Sequence, residues 1–186
     1  MNVNAQDYLD LLEQTGQLCF FDIEATGLRG DYNSVLVVSV KPYGQNPVTF
    51  HVNAAGNDKG VVNDAKHELE KYQVWCGYYS KGFDLPMLNT RLLRHHLKPV
   101  DKRPHIDMYY VLKYNLLTAR RSQGHLLDWL DTDQKKMSVS AEDWNKILHD
   151  TTGTTMKTMI KRCESDGAGL EALYRRTRHV IQDIKR

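Results

Sequence analysis

The stretch Leu18-Cys-Phe-Phe-Asp-Ile23, followed at once by Glu24, constrains this chain more than any other. A short apolar run between turn residues, Gly16 before it and Thr26-Gly27 after it, reads as a buried strand. Side chains alternate along a strand, so Asp22 and Glu24 point to the same face. Two carboxylates side by side repel each other and lose hydration, a costly arrangement unless a positive charge offsets it. Hard divalent cations such as Mg²⁺ and Mn²⁺ prefer carboxylate oxygen. A bare Asp-x-Glu is more often just a solvated strand end, so the pair alone leaves both readings open.

The rest of the pattern supplies the frame. Apolar positions at Ala5, Tyr8, Leu9 and Leu12 predict a helix over Ala5 to Gln14. Valine-rich Val35 to Lys41 and Val48 to Val52 predict two more strands, joined through Pro42 to Pro47, so the chain opens with an antiparallel meander. A helix is expected over Asn63 to Tyr72, a strand over Val74 to Tyr79 and a helix over Phe83 to Leu97, with Pro86 in its first turn. Helical spacing continues over His105 to Leu117, Gln123 to Leu130 and Ala141 to His149. Polar Asp131 to Ser140 is expected to be a mobile loop. From about Met156 the pattern is helical to the end, with Leu170, Leu173, Tyr174, Thr177, Ile181 and Ile184 on one face and with Gly167 and Gly169 weakening it locally. Strands, then a strand–helix alternation, then helices predict an α/β fold, a mixed sheet with helices packed on it.

Length and composition narrow the class. The 186 residues fit one domain, 1–186, able to bury a core without disulfides. Three scattered cysteines, Cys19, Cys76 and Cys163, form no Cys-x-x-Cys pair and point to a reduced, intracellular and cytoplasmic setting. The polar N-terminus does not read as a signal peptide, and no apolar run approaches the ~20 residues a membrane span needs. A formal charge of +2 leaves any electropositive surface to local clustering.

Longer motifs decide between the two readings of Asp22 and Glu24. Phe21-Asp-Ile-Glu-Ala-Thr-Gly-Leu28 resembles the first motif of the DEDD (DnaQ-like) 3′–5′ exonucleases, and Gly82-Phe-Asp-Leu-Pro-Met-Leu88 resembles their second. Asp84 in that second piece could also serve as a helix N-cap. Arg162-Cys-Glu-Ser-Asp166, ahead of Leu170 to Arg176, takes the place of the third motif, with Asp166 as the match and Glu164 as its nearest rival. Gly27 to Tyr43, Asn89 to Leu93, His105 to Tyr109 and Leu126 to Leu130 are similar, in order, to stand-alone exonucleases related to the family B DNA polymerase proofreading domain. Such forms are frequent in bacterial viruses.

The resemblance implies a ribonuclease H-like fold and hydrolysis of phosphodiesters at a DNA or RNA 3′ end. It implies two divalent cations, Mg²⁺ or Mn²⁺, ~3.5–4 Å apart. Asp22 would bridge them, Glu24 and Asp166 would hold one, and Asp84 would hold the other. Thr26 and Leu28 match positions that contact the terminal nucleotide, with Leu28 as an apolar wedge. One departure stands out. Where the family has tyrosine or histidine before the third-motif aspartate, this chain has Lys161 and Arg162, and arginine stays protonated. Three readings follow: metal-activated water suffices, a base such as His125 or His149 comes from elsewhere, or the chain is a weak or silent nucleic-acid-binding module in which Arg162 binds phosphate.

Other residues carry two readings each. His95-His96 fits a metal ligand or, more commonly, a favourable contact with a helix C-terminus. Tyr78 and Tyr79 fit base stacking or sheet-edge packing. Asp107 is expected to order the core or a helix start, and Cys163 to be a packed thiol. Lys161, Arg162, Arg175, Arg176, Arg178, Lys185 and Arg186 give the last helix a basic tilt that suits phosphate contacts or simply a solvated face.

Overall fold

The structure, a computed structural model, describes residues 4–184 apart from Ala55 and Thr152. Five strands form one sheet: β1 (Leu18–Ala25), β2 (Val35–Pro42), β3 (Val48–His51), β4 (Val74–Gly77) and β5 (His105–Asp107), in the order β3-β2-β1-β4-β5. β2 runs antiparallel to β1 and β3, while β1, β4 and β5 run parallel. This is the mixed sheet with an antiparallel meander that the sequence implies. Among the described residues the helices are α1 (Ala5–Gln14), α2 (Lys59–Leu69), α3 (Asp84–Arg94), α4 (Met108–Asn115), α5 (Gln123–Trp129), α6 (Ala141–His149) and α7 (Gly153–Thr177). None is long and apolar enough to cross a membrane.

Alternation along β1 explains the two cores. Cys19, Phe21 and Ile23 pack with the valines of β2, with α2 and α3, and with Met156, Met159 and Cys163 of α7. Leu18 and Phe20 face the other side, against α1, α4, α5 and Leu170, Leu173 and Tyr174 of α7. Helix α7 therefore serves both cores, and Asp166 lies between its two apolar stretches. Gly169, costly in a helix interior on propensity alone, is explained there. A Cβ at that position would stand 2.9 Å from Cδ1 of Leu127 and 3.2 Å from Nε2 of Gln123, so α5 and α7 approach too closely for any side chain.

Several elements differ from the sequence reading. The helix expected over His105 to Leu117 is split: His105–Asp107 pair with β4, and the helix starts only at Met108. Asp107 makes the break, because its carboxylate accepts from the amide of Tyr109 and caps α4. Three residues are too few to show a strand period. The strand expected to Tyr79 ends at Gly77, and Tyr79 turns into left-handed backbone at φ 58°. Helix α2 starts at Lys59, earlier than expected, and α3 stops at Arg94. Helix α7 gives way after Thr177 to a 3-10 turn over Arg178–Val180, short of the chain end, and Lys185 and Arg186 lie outside the described residues.

Candidate metal centre

The strand–turn–helix geometry of three chain segments builds the site. Asp22 and Glu24 leave the same face of β1 near its C-terminal end, and Asp166 meets them from α7. One ligand oxygen from each of the three can be chosen so that all lie within 4.8 Å of one another. Asp84 stands beside this trio but outside it. It is the first residue of α3 and makes no side-chain cap, so the N-cap expectation does not hold; instead its Oδ1 accepts from the amide of Ile23 at 3.0 Å. The second-motif aspartate is thus tied to the backbone of the first motif, between Asp22 and Glu24.

The electrostatics are those of an acidic cluster short of positive charge. Burial raises the Asp22 carboxyl well above the usual range, and Asp84, Asp166 and Glu24 raise it further against a lowering by Lys136. Burial also lifts Glu24, with Arg162 opposing it. Asp84 is pushed up to about 7, chiefly by burial, although its own amide and that of Ile23 favour the anion; Asp107 and Glu24 add repulsion. Two basic side chains answer part of this. Arg162 Nε donates to Glu24 Oε1 at 2.5 Å while its guanidinium lies over the Trp144 ring at 5.6 Å. Lys136 Nζ donates to Asp166 Oδ2 at 2.8 Å. The other carboxylate oxygen of Asp166 is buried with no partner. A buried carboxylate oxygen without a partner, on a residue of an all-oxygen cluster, is what a hard cation fits.

The remaining expected residues fall into three groups. Thr26 closes the loop after β1: its amide donates to Ser34 O at 2.9 Å and its Oγ1 accepts from the Ser34 amide at 3.0 Å. Leu28 is 80% exposed and lines the same cleft as the carboxylates, with Phe83, Trp144 and Leu148. Glu164 accepts from Thr49 Oγ1 and is not one of the clustered carboxylates. His125 and His149 do not line the cleft. Asp107 orders structure, accepting from the amides of Tyr79, Lys81 and Tyr109. Cys163 is buried and donates to Asp22 O. His95 caps α3, but its ring reaches Asp58 rather than the helix carbonyls, at 2.6 Å.

Lys136 was not singled out from sequence. It sits in a polar segment without helix or strand, where a lysine carries no pattern; only the fold brings it to Asp166. The same holds for Trp144 of α6, whose ring completes the cleft wall.

The sequence matches the model of the RNase H superfamily over residues 19–177, so the chain belongs to that superfamily. The match takes in the sheet from the second residue of β1 onward and all three acidic motifs. The fold also superposes on the family B DNA polymerase of the hyperthermophilic archaeon Pyrobaculum calidifontis, with a TM-score of 0.67 at 17% identity. The overlap takes in 85% of this chain and 24% of the polymerase, so the chain spans about a quarter of that protein's length. No curated protein sequence matches this one.

Proposed function

We propose that this chain is a metal-dependent 3′–5′ exonuclease of the DEDD type. The observation that carries the reading is the trio Asp22, Glu24 and Asp166, gathered within 4.8 Å with one buried Asp166 oxygen left unpaired. Membership of the RNase H superfamily and a polymerase-like fold support a nuclease, since the proofreading exonuclease of family B polymerases is of this type.

Asp22, Glu24 and Asp166, with Asp84 beside them, would hold two divalent cations, Mg²⁺ or Mn²⁺, which when bound supply Lewis-acid charge and lower the pKa of water. The protein's own groups do the rest. Leu28, with Thr26 and Phe83, offers an apolar wall for the terminal nucleotide. Lys136 and Arg162 place fixed positive charge at the rim, where charge grows on a phosphoryl group under attack. Arg162 is no general base, and its bond to Glu24 engages a carboxylate oxygen that an added cation would also use.

The test is degradation of an oligonucleotide labelled at its 5′ end, with Mg²⁺ or Mn²⁺, beside the Asp22→Ala variant. A ladder shortening from the 3′ end, absent in the variant, is expected. Shortening from the 5′ end, or full activity in Asp22→Ala, would sink the reading. One observation favours a second reading: Lys136 and Arg162 already neutralise two of the carboxylates. A silent module that binds nucleic acid would bind the strand and leave it intact under every metal.

A further inference from the structure

One set of side chains near the cleft is not absorbed by this chemistry. Tyr79, Tyr109, Tyr110 and Tyr114 form a continuous ladder of rings, with centroids 5.1 Å, 5.2 Å and 6.5 Å apart in turn. Tyr110 and Tyr114 are nearly parallel, their planes 19° apart. A packing role would bury such rings, yet Tyr79 is 45% and Tyr114 75% exposed. Tyr79 also keeps its ring outside at a conformational cost. Its φ of 58° lies in the left-handed region, a strained value for a non-glycine residue. Asp107 holds it there through the amides of Tyr79 and Lys81, both at 2.9 Å. Gly82 makes room for the ring, since a Cβ there would lie 2.6 Å from it.

Topology sets the ladder beside the acidic cluster. β1, β4 and β5 are parallel, so their C-terminal ends share one edge of the sheet. The end of β1 carries Asp22 and Glu24. The end of β4 leads through Tyr79 to Asp84, and the end of β5 leads through Asp107 to Tyr109 and Tyr110. The charge is complementary to phosphate: Lys113 Nζ lies 5.9 Å and 5.4 Å from the Tyr110 and Tyr114 ring centroids. Tyr78 Oη donates to Arg121 O at 2.6 Å and so fixes a second basic segment, Arg120-Arg121, next to the ladder. Among the described residues Lys113, Arg120 and Arg121 make no ion pair.

We infer that the Tyr79–Tyr109–Tyr110–Tyr114 ladder, with Lys113 and Arg120-Arg121, is a binding platform for a single nucleic-acid strand leading away from the acidic cleft. Bases stack on the open rings, and the cations meet the phosphates. A duplex hides its base faces and is the poorer ligand. The inference rests on the nuclease reading for the strand's direction, but not for its binding.

The test is fluorescence anisotropy of the full chain with a labelled oligothymidylate in Ca²⁺, as a function of salt. Stacking contributes ~1–3 kcal/mol per base, so Tyr114→Ala and Tyr110→Ala should each weaken binding about 5- to 150-fold. Tyr114→Phe keeps the ring and the affinity. Lys113→Ala should lower the salt slope by about 0.7. Should Tyr110→Ala impair folding, Tyr114→Ala decides alone, because that ring is 75% exposed. Wild-type affinity in Tyr114→Ala, or equal affinity for duplex, overturns the platform even if 3′ degradation is observed. Tyrosine-dependent binding without any degradation upholds the platform and removes the nuclease reading instead. A dimer of this chain that Tyr114→Ala dissolves, with strand binding untouched, would assign the ladder to self-association and also overturn the inference.

Discussion

Asp58 and Asp84 occupy matching places, yet the protein treats them oppositely. Each is buried, each stands at the start of a helix, and neither uses its side chain as a cap. Asp58 is surrounded by donors: Arg91 grips both oxygens at 2.8 Å and 2.9 Å, His95 bonds one of them, and the amide of Val35 donates to the other. Burial alone would raise its carboxyl, but Arg91, His95 and Val35 hold it below the ordinary value. Asp84 receives two amides and faces other carboxylates, and burial lifts it to about 7. The first node is complete within the fold and ties α2, α3 and the start of β2 together. The second is incomplete without added positive charge. A buried charge whose partners are all present marks architecture, whereas one lacking partners marks a place for a ligand.

The largest expected effect follows from the incomplete node. Asp22→Ala should cut degradation by more than about 10³-fold, beyond the 10²–10³ of a single preorganised donor. Because it removes repulsion, it should leave the melting temperature in EDTA unchanged or higher. A large fall in melting temperature would show that Asp22 is architectural and erase the contrast. Asp58→Ala should behave in the opposite way. Leaving Arg91 buried and unpaired costs about 3–5 kcal/mol, or roughly 6–20 °C in a chain of this size. Differential scanning calorimetry measures the loss, and the folded fraction should retain its specific activity.

A smaller effect separates the two basic side chains from the clustered carboxylates they touch. Lys136→Ala and Arg162→Ala each remove a cation that competes with added metal, so Mn²⁺ should bind about tenfold tighter, ~1.4 kcal/mol, by calorimetric titration. Turnover should still fall in Lys136→Ala. Weaker Mn²⁺ binding in either variant would mean that these residues orient the ligands more than they compete. The smallest change is expected in the pH dependence, because Lys136 and Arg162 already offset part of the repulsion. The Asp22, Glu24 and Asp84 carboxyls are raised in the folded protein. Their contribution to stability is therefore fully present below the ordinary carboxylate pKa and is lost as pH rises through the raised values, which for Asp84 means toward about 7. Asp58, held low, contributes the opposite slope, lost as pH falls. Urea melts in EDTA should show stability declining from about pH 4 to 7, a decline that Asp84→Asn reduces and Mg²⁺ abolishes. A flat profile in EDTA would break the comparison.

The sequence by itself determined the elements whose signal is local. β1 showed as an apolar run, β2 and β3 as valine-rich segments, α1 as an apolar spacing, and α5 and α6 as short helical stretches, because period and turn chemistry act within a few residues. The motifs also carried Asp22, Glu24, Asp84 and Asp166 as a set. Tertiary structure alone decided the rest. β5 is a strand only because β4 lies alongside it. Asp84 became an acceptor for Ile23 because α3 enters beside β1. Lys136 and Trp144 became part of the cleft because a patternless segment and a short helix fold over Asp166 and Arg162. Arg162 pairs with Glu24, 138 residues earlier in the chain. Such long-range pairings leave no mark on local periodicity, since a side chain's partner across the fold is set by how whole elements pack and not by its neighbours in sequence.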